Sequence, residues 1–102
     1  MTISHDDTLR LIEAAKCLAL TPGSLKDRVH YAHKWYLSQL NLSQHEESAE
    51  PAIKELRECR AAIDETGGFD EWICSTADDS LHDYAVAIWD AYYAAVLKPA
   101  GY

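Results

Sequence analysis

The chain has 102 residues, 17 acidic and 9 basic, for a formal net charge of −8, and 48% of them belong to the broad apolar class. That length suits one hydrophobic core and not two, and the apolar fraction is far above that of chains that stay disordered. A negative field of this size repels phosphate backbones and anionic lipid, which disfavours direct binding of nucleic acid or a membrane surface. One all-α domain over residues 1–102 is expected.

The longest uncharged stretches, as in Cys17 to Lys26 and Ala91 to Lys98, are shorter than a bilayer requires, so no transmembrane helix is expected. Residues 1–7 lack the basic start and apolar run of a signal peptide, which predicts a cytoplasmic protein. Cys17, Cys59 and Cys74 are odd in number and lack Cys-x-x-Cys spacing. They read as reduced thiols, with Cys17 and Cys59 as small core residues.

In chain order, the first helix should start after Ser4, with Asp7 three residues on, and stop before Thr21-Pro22-Gly23. Its apolar side is Leu11, Ile12, Ala15, Leu18 and Ala19. The second should start at Ser24, paired with Asp27, and run to about Leu40, with a stripe of Leu25, Val29, Ala32, Tyr36 and Leu40. Pro51 suits a first turn, so a third helix should reach Thr66 before Gly67-Gly68, burying Ala52, Leu56, Cys59 and Ile63 with Ile53 at the flank. A short fourth helix carrying Phe69, Trp72 and Ile73 should lie over the core as a lid. The last should run from Asp78, Asp79 or Ser80 to Leu97. It is the longest and the central element, with Leu81, Tyr84, Ala85, Ile88, Tyr92 and Val96 as its core stripe. The fold class is therefore all-α, a compact bundle of four to five helices.

The acidity is local. Residues 1–44 balance to +1, whereas residues 45–90 carry thirteen acids against Lys54, Arg57 and Arg60, a balance of −10. On the last helix Asp79, Asp83 and Asp90 form one stripe, and His82, Trp89 and Tyr93 recur at seven and then four residues along its edge. Aromatic residues are enriched at protein interfaces, and acidic fields steer basic partners. These six residues are the expected partner-binding set. The expected function is a small acidic interaction module or inhibitor that binds a basic surface on a partner protein, such as a nucleic-acid-binding protein or nuclease. In charge and size it is analogous to DNA mimics and immunity proteins. A homodimer is a further possibility on the aromatic edge, and an acidic, structural homo-oligomeric protein is one alternative.

The other alternative is catalytic. Arg28-Val29-His30-Tyr31-Ala32-His33 resembles the Arg-x4-His motif of HEPN-type ribonucleases, in which the Arg would hold phosphate and the His would assist proton transfer. It departs from that family in lying in the second helix and in having Val29 after the Arg. His82-Asp83, with His30 and His33, invites comparison with HD phosphohydrolases, yet a distal Asp is lacking and neighbouring helical residues diverge by about 100°. No Glu-x-x-His pair and no Gly-rich phosphate loop occurs. No metal, cofactor or catalytic residue is therefore assigned.

Overall fold

The computed structural model describes residues 5–40, 51–98 and 101. The elements are α1 (His5–Leu20), α2 (Leu25–Trp35), a 3-10 turn (Leu37–Gln39), α3 (Pro51–Glu65), α4 (Phe69–Ser75), α5 (Asp78–Tyr92) and a π turn (Tyr93–Leu97). No strand occurs among the described residues.

Helix α1 ends where expected, while Ser4, its expected cap, lies outside the described residues. Its buried face is rotated from the expected one. Leu11, Ala14, Ala15 and Cys17 enter the core, Ile12 and Leu18 are half-buried, and Ala19 is exposed. The reason is that α1 packs on both α2 and α5, and small Ala14 and Cys17 permit that close approach. Asp7, also buried, accepts a 3.2 Å charge-assisted bond from Arg10.

The Ser24 capping box is formed: the Asp27 amide donates to Ser24 Oγ and the Ser24 amide donates to Asp27 Oδ2, each at 3.2 Å. Helix α2 nevertheless stops at Trp35, short of the expected Leu40. Tyr36 leaves helical geometry (φ −128°, ψ −52°) and a 3-10 turn follows. In a continuous helix Leu37 would sit about 100° beyond Tyr36, off the apolar stripe. The tighter turn instead buries both Leu37 and Leu40, and Arg60 Nη1 donates to the Leu40 carbonyl at 2.9 Å.

Pro51 opens α3 as expected, but Ile53 belongs to the buried face with Leu56 and Ile63, and Ala52 and Cys59 are at its margin. Gly67 and Gly68 reverse the chain at φ +99° and +103°, a region open to glycine. Helix α4 then lays Ile73 into the core with Phe69 and Trp72 packed against it.

Residues 78–97 form the longest helical stretch and contact α1, α2 and α3. They bury Leu81, Tyr84, Ala87, Ile88 and Ala91, whereas Ala85, Tyr92 and Val96 of the expected stripe are half-buried. As in α1, alanines mark the close contact. The last five residues widen into a π turn, with the Lys98 amide donating to the Tyr93 carbonyl at 2.9 Å. The core residues join in one cluster, and the radius of gyration is 12.9 Å, about that of a 100-residue chain around one core. No described helix is long and apolar enough to cross a membrane.

Candidate partner-binding surface

Two clefts lie along the seam between α3 and the last helix. One, about 360 Å³, brings Pro51 and Glu55 beside Asp90, Tyr93 and Lys98. The other, about 210 Å³, brings Cys59 and Ile63 beside Asp83 and Tyr84. The start of α3 thus meets the end of the last helix and the reverse, so the two run antiparallel. This pairing gathers acids that are distant in sequence. On α3, at about 100° per residue, Glu55 falls on the α5 side while Arg57 falls on the far side, and Arg60, beside the core residues Ile53 and Leu56, reaches the Leu40 carbonyl and lies near Tyr84.

The Cys59 thiol registers the resulting field. Its pKa is pushed up first by burial and then by Glu55, Asp83 and Glu58, carboxylates from two helices acting on one sulfur. The thiol is protonated at neutral pH and is a poor nucleophile. The ion pairs formed among the described residues, Arg10–Asp7 and Lys16–Glu13, both lie within α1.

On α5, Asp79, Asp83 and Asp90 fall within about 40° of one another, and His82, Val86, Trp89 and Tyr93 occupy the adjoining strip. All seven are exposed. Trp89 and Tyr93 keep 46% and 41% of their surface in solvent, so the aromatic edge is not consumed by the core. Trp89 packs at 5.2 Å against the half-buried Tyr92. Sequence reasoning missed Val86, although it stands four residues after His82. It also missed Glu55 and Trp72, which only the tertiary pairing brings beside α5.

The residues of the ribonuclease-like motif take different partners. Arg28 donates from Nη1 to the Leu18 carbonyl at 3.1 Å and from Nε to the Ser24 carbonyl at 3.4 Å, closing the end of α1. His33 stacks on Phe69 with ring centroids 3.7 Å apart and planes 2° apart, and its Nδ1 lies 2.9 Å from Tyr84 Oη. Their polar contacts have no group in common. Burial, reinforced by Arg60, pushes the His33 pKa down to about 4, and burial raises that of Tyr84. The pairing that satisfies the phenol proton has Tyr84 O–H donating to Nδ1 of a neutral imidazole. Among the described residues, no three His, Cys, Asp or Glu side chains are grouped to hold a metal ion.

No family profile, curated protein or solved structure matches the chain. The α3/α5 surface is therefore read on its own chemistry.

Proposed function

We propose that the protein is an interaction module whose α5 face and α3/α5 seam bind a basic surface on a partner protein. The single observation that carries this reading is the convergence of Glu55, Asp83 and Asp90 along a seam bordered by the exposed Trp89 and Tyr93. The carboxylates supply long-range steering, and the aromatic side chains supply surface whose burial holds the complex. A partner that is itself nucleic-acid-binding, with a basic face shaped for phosphate, fits this chemistry; occupying that face would make the protein an inhibitor.

Capture of partners from the host, at low and at high salt, tests the proposal when the wild type is run beside D79N/D83N/D90N and W89A/Y93A proteins of unchanged helical content. The expected result is a basic protein retained at low salt, weakened at high salt, and reduced at least about tenfold by either variant, a loss of about 1.4 kcal/mol. Capture that neither variant affects, or that only acidic proteins share, overturns it.

A further inference from the structure

We propose that the smaller cleft of the seam is a slot for one lysine side chain of the partner, a refinement that rests on the function proposed above. At about 210 Å³ the cleft is below the roughly 300 Å³ at which small-molecule pockets begin, so it suits a single side chain rather than a ligand of drug size. Its lining is divided by chemistry: α3 contributes Cys59, Ala62 and Ile63, α4 contributes Trp72, and α5 contributes Ser80, Asp83 and Tyr84. An unbranched aliphatic stem matches the apolar members, and an ammonium head matches the one carboxylate.

Two further features point to a cation. The half-buried Trp72 lines the cleft beside Asp83 and is braced at 90° by the buried Tyr84, 5.6 Å away, and an ammonium within about 6 Å of the Trp72 ring gains cation–π attraction. Asp83 forms no ion pair among the described residues, and Glu55 and Glu58 add to its field at Cys59. An uncharged stem would leave that potential unanswered. Lysine is assigned over arginine because its compact ammonium on an unbranched stem suits a cleft of about 210 Å³ better than the wider planar guanidinium does.

Amide and indole N–H shifts of the full chain, titrated with a blocked Gly-Ser-Lys-Ser-Gly peptide, read the slot directly. Saturable shifts at the Trp72 indole and the Asp83 amide are expected with lysine and not with acetyl-lysine at the same position. D83N should weaken binding at least about tenfold. A62L, which fills the cleft from the solvent side of α3 without changing charge, should abolish it, while D79N/D90N should leave it nearly intact. Absence of those shifts, equal binding of acetyl-lysine, tighter binding of a peptide with arginine in place of the lysine, or full binding by A62L each overturns the slot. Partner capture that requires α5 yet survives A62L removes the slot and leaves the interaction surface standing. Peptide binding in the slot without any α5-dependent capture does the opposite.

Discussion

His33 occupies an environment that disfavours its charged form. Its ring is held between Phe69 and the Tyr84 hydroxyl, with His30, Arg60, Asp64 and Asp70 as the titratable and charged neighbours. The folded protein takes up its proton at about 4, against 6.5 for the free side chain. Between those values the unfolded chain binds more protons than the folded one, so stability falls as pH is lowered through that window and levels off below it. The full shift would correspond to about 3 kcal/mol, and partial exposure of the ring discounts this to roughly 1–2 kcal/mol. Denaturant unfolding at pH 7 and near pH 4 should show wild type losing that much more stability than H33Q. Carboxylates common to both proteins cancel in the difference, and equal losses would show that His33 is solvated. Its place on the face of Val29, Tyr36 and Leu40 made a hydrogen-bonded core or interface histidine legible in the sequence, but its partners were not, because they come from α4 and α5.

At the scale of elements, the Gly67-Gly68 turn separates backbone cost from packing. Gly68 has φ +103° and ψ 171°, and a Cβ there would meet no atom within 4 Å. Substitution to alanine therefore acts through the backbone alone, and G68A should cost about 1–3 kcal/mol, seen as a lower denaturation midpoint with an unchanged slope. A cost below a few tenths would show that the turn tolerates another conformation. Such local signals were legible: Ser24 with Asp27, Pro51 and the paired glycines each mark a boundary by chemistry within a few residues. Two things were not. Alanine and cysteine have little hydrophobic contrast, so Ala14, Ala87 and Ala91 could not be told from exposed Ala19 before α1 and α5 were seen to pack. The end of α2 also depends on burying Leu37 against other helices, and no local breaker announces it. The exposed acidic and aromatic strip of α5, the larger part of the proposed surface, was legible from helical spacing; placing Glu55 and Trp72 beside it required the antiparallel α3 and the lid.

For the whole molecule, the net charge of −8 and the gathering of Glu55, Asp83 and Asp90 along one seam imply self-repulsion in the folded state. Raising salt from about 0.01 M to about 1 M contracts the Debye length from ~30 Å to ~3 Å. Melting should rise by several degrees over that range, about 4–8 °C for each kcal/mol relieved in a domain of this size. A D79N/D83N/D90N protein should start higher at low salt and gain less. Identical salt responses in the two proteins would mean that these carboxylates are too well hydrated to strain the fold. The same salt that steadies the free molecule weakens its proposed complex, so stability and association should move in opposite directions.

The three tryptophans occupy three separate surroundings. Trp35 on α2 is half in solvent with the Lys34 ammonium 5.6 Å from its ring, Trp72 on α4 is packed against Phe69 and Tyr84, and Trp89 on α5 lies beside Tyr92. Indole emission follows local polarity, so the chain carries its own optical labels. With the other two replaced by phenylalanine, light from Trp72 would follow the lid and the lysine slot, light from Trp89 the docking face, and light from Trp35 a surface remote in sequence from both. Where a partner lands could then be told by which colour changes, without attaching any dye.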